Sequence, residues 1–443
     1  MARINIPLES IFTHEGAPAQ HINHTAALRR SVMSCLLWEN ETYENGQSIA
    51  DRIAELCKIV EPAAIAEMAV EARSAMHLRH VPLFLVRQLA KRKSCGPLVA
   101  ETLPRIIQRA DELTEYLAIY WKDDAPTERQ SISAGSKRGL AASFAHFNEY
   151  ELAKYNRDNA IKLRDVMFLV HPKPTTFEQA SLWKRLANNE LATSDTWEVE
   201  LSAGKDKKAT FERLMTEKKL GGLATLRNLR NMVNAGVDEN LIRERLAAGC
   251  GKCLPFRFIT AARYAPQLED AIEQAMFKSL EGLQPLQGKT GLLIDVSGSM
   301  DEQLSNKSEA TRVDVAAGLG VLLRELCPQV AIATFSYKAV EVPPRRGFAL
   351  RDAIHNSQEH GGTNLRAALI DLMPRQAWKN LTRLIVITDE QSRDGILSMA
   401  RGPAAYVINI ASARNGVSYG NGWHHIDGWS ERVVDYIQEF EKQ

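Results

Sequence analysis

The chain has 443 residues, 45% hydrophobic and 25% charged, with 55 basic against 54 acidic side chains and a net charge of +1. That length exceeds what one core supports, so two or three domains are expected, in the composition of an ordinary soluble globular protein. The neutral balance excludes bulk attraction to nucleic acid as an argument, so any such argument must be local. From the start of the chain, "MARINIPLES" lacks the apolar run of a signal peptide, and no later stretch approaches a membrane span. Six sparse cysteines agree with a reducing, cytoplasmic setting.

From about residue 23 to residue 283 the apolar spacing is helical. "SIADRIAELCKIV", "AAIAEMAVEARSAM", "VPLFLVRQLAKR", "LVAETLPRIIQRADELTEYLAIYW", "LATLRNLRNMVNAG" and "ENLIRERLAAG" place apolar residues at i, i+3, i+4 and i+7. Pro, Gly and polar breaks separate them, and short amphipathic helices in succession predict antiparallel pairs stacked into an α-solenoid with no crisp repeat consensus. "CGKC", Cys250 to Cys253, is the one pair with metal or redox spacing. It lacks a second C-x-x-C, a nearby histidine and a preceding strand, so it reads as helix–loop packing.

Three basic clusters interrupt the neutral average within this half. The first holds Arg79, Arg87, Lys91, Arg92 and Lys93; the second holds Lys137, Arg138, Lys154, Arg157, Lys162, Arg164, His171 and Lys173. The third lies between Lys205 and Arg230. Cations on helix faces attract phosphates without reading sequence, and Tyr155, Phe168 and Phe211 are placed to stack on unpaired bases. The plainer alternative is a solvated helix face, with His171 before Pro172 as a helix-terminating residue.

After "GLQPLQGKT" the period changes. "TGLLIDV", "VAIATFS", "RLIVIT" and "AYVINIA" are short β-branched runs, as expected of parallel strands covered on both faces. Between and after them, "EATRVDVAAGLGVLLREL", "TNLRAALIDLM", "DGILSMA" and "SERVVDYIQEFEK" read as helices, the last with Ser430 as N-cap. This predicts a doubly wound α/β domain over 285–443 following a helical domain over 1–284, with ligands bound beyond the carboxyl ends of the strands.

Five oxygen side chains fall at such ends: Asp295, Ser297 and Ser299 in "DVSGSM", Thr363 in "HGGTN", and Asp389 in "VITDE". Hydroxyls and carboxylates are hard ligands suited to Mg²⁺ or a similar divalent cation. Taken singly, each is an ordinary turn or cap residue. Asp-x-Ser-x-Ser with a later Thr and Asp resembles the metal-ion-dependent adhesion site of von Willebrand factor type A domains, which are Rossmann-like. That resemblance implies two serines and a threonine on the metal, aspartates acting mostly through water, and an open position for a partner's carboxylate. A serine hydrolase is a rival reading of "DVSGSM", but the second glycine of G-x-S-x-G is missing and its histidine would have to be His424 or His425. "GLGVLL" is no phosphate loop, since G-K-[ST] does not follow.

Within the helical half, "SKRGLAASF" followed by "KYNRDNAIKLRDVMFLVHPKP" resembles the Ro ribonucleoprotein family, whose helical part is the TROVE module. "LRNLRNM" and "LPFRFITAARYA" are similar to two later family segments in the same order. The resemblance implies a ring of HEAT-like helical pairs closed by the type A domain. Such a ring takes single-stranded RNA ends in a basic cavity and small noncoding, Y-like RNAs outside. It places Lys154 and His171 at RNA-binding positions, while charge alone adds Lys137, Arg138 and Arg164. The expectation is a monomeric, non-enzymatic ribonucleoprotein of RNA quality control that recruits a nuclease or ligase. The alternative is a Mg²⁺-dependent protein-interaction scaffold.

Overall fold

The computed structural model describes residues 11–41, 43–123, 130–192, 194–251, 253–305 and 308–442. The chain forms two compact units. The first takes in the described part of Met1–Ile49 with Gly222–Arg230 and Arg243–Gln443; the second takes in Ala50–Gly221 and Asn231–Ile242.

The first unit is built on β1 (Lys289–Asp295), a hairpin of β2 (Gln303–Ser305) and β3 (Ser308–Thr311), β4 (Gln329–Phe335), β5 (Ala339–Val342), β6 (Arg383–Thr388), β7 (Ala404–Asn409) and β8 (Trp423–Asp427). Six strands make one sheet in the order β5-β4-β1-β6-β7-β8, parallel throughout except for the antiparallel edge strand β5. Its two faces divide the apolar runs between them. Leu293, Phe335, Val386 and Val407 join Leu365, Leu369 and Leu372 of the helix Leu365–Leu372 in one core. On the other face Ile294 packs at Gly320 of the helix Arg312–Leu326, with its Cδ1 2.8 Å from where a Cβ would stand. Burial on both faces is why these strands read as unbroken apolar runs. The chain runs outward from β1 to β4 and β5 on one side, then crosses to β6 on the other. The reversal opens a crevice at the carboxyl ends of β1 and β6.

The strands begin near residue 289, but the unit around them reaches further back. Phe256 of the helix Pro255–Tyr264 packs edge-on to Trp429 at 6.4 Å and lies against Gly318 of the helix Arg312–Leu326. Buried Arg383 donates to the Leu286 and Gln287 carbonyls and to Thr290 Oγ1. Three expectations change. "DGILSMA" is not helical; its Asp394 accepts from the Arg366 and Ala367 amides at 3.0 and 2.8 Å, capping another helix instead. The C-terminal helix runs Val433–Glu441, because Ser430 Oγ turns back to the Arg432 amide before helical geometry begins. Strand β8 was hidden by the polar pair His424–His425 at its centre.

The second unit is helical. Pro62–Ser74 packs on His80–Ala90 and His80–Ala90 on Gly96–Ile106, and each of the three packs on the next but one: Pro62–Ser74 on Gly96–Ile106, His80–Ala90 on Asp111–Tyr120, and Gly96–Ile106 on Ala134–Phe144. The last pair meets at Gly135, where any Cβ would overlap the Gly96 carbonyl. "LVAETLPRIIQRADELTEYLAIYW", which reads as one helix, is two. Ile107 turns extended after Pro104, and the Glu112 carboxylate accepts from the Gln108 and Arg109 amides at 2.8 and 3.1 Å.

Candidate metal centre and nucleic-acid interface

The crevice between β1 and β6 gathers the five oxygen residues predicted from the sequence. Asp295 ends β1, fully buried; its Oδ1 accepts from the Ser297 amide at 2.9 Å and its Oδ2 from the Thr388 hydroxyl at 2.6 Å. Ser297 Oγ and Ser299 Oγ are 3.4 Å apart. The Gly298 amide donates to the Gly361 carbonyl at 2.7 Å, bringing the loop that carries Thr363 against the one that carries the serines. Gly361 and Gly362 are required here, since a Cβ on either would run into the Tyr337 ring. Asp389 follows β6; its Oδ1 accepts from the Gln391 amide at 3.1 Å, while its Oδ2 is buried with no hydrogen-bond partner.

Burial, then the charge of Asp389, pushes the Asp295 carboxyl well above the usual range. Two buried carboxylates close together, one with an orphaned oxygen, beside three hydroxyls, make a donor set that fits a hard divalent cation. It would be held by Ser297, Ser299 and Thr363, with Asp295 and Asp389 supplying charge. Among the described residues no cluster of three or more His, Cys, Asp or Glu side chains offers an alternative, and Cys250 and Cys253 are buried free thiols. Burial pushes these two thiols up to about 11 and 12, so they stay protonated. The hydrolase geometry is absent among the described residues: His425 is engaged by Glu390 at 2.9 Å and Asp427 at 3.4 Å, and no histidine reaches Ser297.

A distant segment, unmarked by any local motif, also reaches this crevice. Thr13 Oγ1 donates to the Ser392 carbonyl at 2.9 Å, and the His14 amide donates to Gln391 Oε1 at 3.1 Å. The His14 ring stacks on Tyr43, centroids 4.4 Å apart. Burial, with the Asp389 charge, pushes that phenol up to about 12, so it is neutral at physiological pH. Glu390, next to Asp389, has a left-handed backbone (φ 60°) and a fully buried carboxylate. It is paired with buried Arg30 and with His425, and it accepts from the Ser418 hydroxyl. Burial alone would raise Glu390, but Arg30 and His425 outweigh it and hold it below its ordinary value.

The three basic clusters, alike in sequence, differ in structure. In the first, Arg79 pairs with Asp111 and Glu115, buried Arg87 pairs with Asp123, and Arg92 donates to the Cys57 and Val60 carbonyls. The third is largely neutralised: Arg213 and Lys219 share Asp195 and Glu217, and Lys205 meets Glu200 at 2.7 Å. Within the second, Lys137 and Arg138 are exposed on the helix Ala134–Phe144, which packs on the helix Leu163–Val170 carrying Arg164. His171, exposed, ends that helix in a left-handed cap, the structural role weighed against ligand binding. Lys154 and Arg157 lie over the half-buried Tyr155 ring at 5.6 and 6.0 Å, joined by Arg109 at 4.8 Å, which sequence spacing did not single out. Among the described residues Lys137, Arg138, Lys154 and Arg157 have no acidic partner, whereas Arg164 stands 4.0 Å from Asp165. Phe168 is 56% exposed, but Phe211 is fully buried and stacks on Trp197, so it cannot receive a base.

The TROVE domain family model matches residues 22–191 and 184–278, more than half of the chain. A curated relative, telomerase protein component 1 of Mus musculus, is 22% identical over 307 residues; the match covers 49% of this chain and only 12% of that protein's length. The crystal structure of the Ro (RSR) protein of Deinococcus radiodurans superposes with a TM-score of 0.57 at 17% identity, covering 93% of this chain and 97% of that one, a likeness of fold. With the family segments matched in order across the helices and that fold carried through to the sheet, this chain belongs to the TROVE-domain family, that of the Ro ribonucleoproteins.

Proposed function

We propose that this chain is an RNA-binding protein of the Ro type, a binder rather than a catalyst. Its helices form a HEAT-like array whose cations take single-stranded ends of misfolded RNAs, while small noncoding, Y-like RNAs bind outside. The sheet unit is a von Willebrand factor type A domain with a Mg²⁺ site formed by Asp295, Ser297, Ser299, Thr363 and Asp389. In a cytoplasmic quality-control role, that site recruits a processing nuclease or ligase through a partner carboxylate, to a monomeric protein.

One observation carries the RNA reading. The cluster resembling the family's RNA-binding segment keeps Lys137, Arg138, Lys154 and Arg157 without an acidic partner among the described residues, two of them over the Tyr155 ring. Four phosphate contacts by Lys137, Arg138, Lys154 and Arg157 give a slope of log affinity on log salt of about −2.8 for single-stranded RNA, or roughly a 50-fold loss between 50 and 200 mM. Filter binding over that range tests it: Lys154→Ala makes the slope shallower by about 0.7, and replacing all four by alanine nearly abolishes it. Affinity indifferent to salt, or a slope unchanged in the quadruple variant, refutes the proposal.

A second reading, a Mg²⁺-dependent protein scaffold, is favoured by the orphaned Asp389 Oδ2. Capture of a partner that needs Mg²⁺, is lost in Asp295→Ala and brings no RNA would support it over the first.

A further inference from the structure

The two amides that flank the Cα of Glu390 reach both carboxylates of the crevice. Its own amide donates to Thr388 Oγ1 at 3.0 Å, and that hydroxyl donates to Asp295 Oδ2 at 2.6 Å. The next amide, that of Gln391, donates to Asp389 Oδ1 at 3.1 Å. The backbone angles at residue 390 therefore govern both carboxylates at once. They are left-handed, with φ 60°, a conformation unfavourable to any residue with a Cβ and kept only where the surroundings enforce it. Here the buried Glu390 carboxylate is gripped at both oxygens. Its Oε1 accepts from the Ser418 hydroxyl and, at 3.2 Å, from the Ser418 amide. Its Oε2 meets Arg30 Nη1 and, at 2.9 Å, His425 Nε2. Arg30 is anchored in turn on the Ala413 and Asn415 carbonyls, and Gln391 Nε2 donates to the same Asn415 carbonyl at 2.8 Å. Gly416 leaves room for the pair, since a Cβ there would overlap Glu390 Oε2 and Arg30 Nη1.

We infer that Glu390 is a positioning residue of the cation site: the grip of Arg30, His425 and Ser418 on its carboxylate holds the left-handed turn that orients Asp295 and Asp389. Through Arg30, the helix His24–Met33 then helps to shape a site whose oxygen side chains all follow residue 290. This rests on the cation-site reading above.

Mn²⁺ binding to the full chain, by calorimetry and electron paramagnetic resonance, tests it. Glu390→Ala and Glu390→Gly both lose the carboxylate, but only glycine takes the left-handed turn freely. Each is made in the Arg30→Met chain, so that no buried guanidinium is left without its counter-charge. Alanine lowers Mn²⁺ affinity by about 10–100-fold, the usual cost of losing a group that orients a ligand, and glycine restores it to within about threefold of the unaltered chain. Melting in chelator separates these affinities from stability. Thr388→Val, close in shape, breaks the link to Asp295 in the otherwise unaltered chain and lowers affinity by about tenfold. It decides the matter even where the double variants do not fold. Equal affinity in the alanine and glycine chains, or no loss in Thr388→Val, overturns the inference while the cation site stands. Failure of the unaltered chain to take up Mn²⁺ overturns both.

Discussion

Replacing Arg30 by methionine tests how firmly the N-terminal segment is built into the sheet unit. Arg30 and Glu390 are both fully buried. The guanidinium also donates to the Ala413 carbonyl at 2.6 Å and the Asn415 carbonyl at 2.7 Å. Methionine retains the apolar stem and removes the charge, stranding the Glu390 carboxylate with His425 as its remaining cationic neighbour. Breaking one side of a buried pair costs about 3–5 kcal/mol, far above the ~1 kcal/mol ceiling of exposed pairs. At about 2–4 °C per kcal/mol for a unit of this size, the melting midpoint falls by roughly 6–20 °C. The control is Arg346→Met: Arg346 is 67% exposed in its pair with Glu325, so about 1 kcal/mol or less is at stake. Urea unfolding followed by fluorescence of buried Trp378, Trp423 and Trp429 measures both. Adding Glu390→Gln to Arg30→Met recovers part of the loss, since no stranded charge remains. An Arg30→Met loss no larger than that of Arg346→Met would sink the reasoning.

Further outcomes follow from the same geometry. Burial disfavours a charged His425, but Asp427 and Glu390 outweigh it and push the ring up to about 9, with Arg30 3.3 Å from Nε2 and Tyr419 stacked on the other side. The folded value lies above the unfolded one of about 6.5, so this stabilisation is complete below pH ~6.5 and fades as pH rises through about 9. Denaturant midpoints should fall across that window, and His425→Gln should flatten the decline. Gly361→Ala drives a Cβ into the Tyr337 ring; Mn²⁺ affinity should drop, and Tyr337→Ala in the same chain should restore it. Phe211→Ala should cost about 3–5 kcal/mol in stability, whereas Phe168→Ala should leave stability unchanged and weaken RNA binding by about 1–3 kcal/mol.

The gathering of oxygen side chains at the candidate cation site was legible because strand-end carboxylates and hydroxyls announce themselves where an apolar run stops, as at Asp295 and Asp389. Its outer ring was not, because Thr13, His14 and Tyr43 meet it only through the fold, and nothing local marks them. The basic clusters failed for a related reason. Arg87 and Arg79 look free in their own stretch, but their acids stand on or just past another helix, 36 positions away for Asp123 and 32 for Asp111. Charge counting along the chain sees runs, whereas neutralisation takes place across helices. The compact unit likewise ignores the change of period near residue 285, since Phe256 and Arg30 owe their place to packing on elements made much later.

That lateness matters to a chain emerging from the ribosome. Arg30 is made early, yet its counter-charge lies 360 residues downstream. At ordinary elongation rates of about 5–20 residues per second, the N-terminal helix waits roughly 20–70 s for its berth. Throughout that interval the Arg30 charge lacks the Glu390 carboxylate that it is buried against in the finished fold.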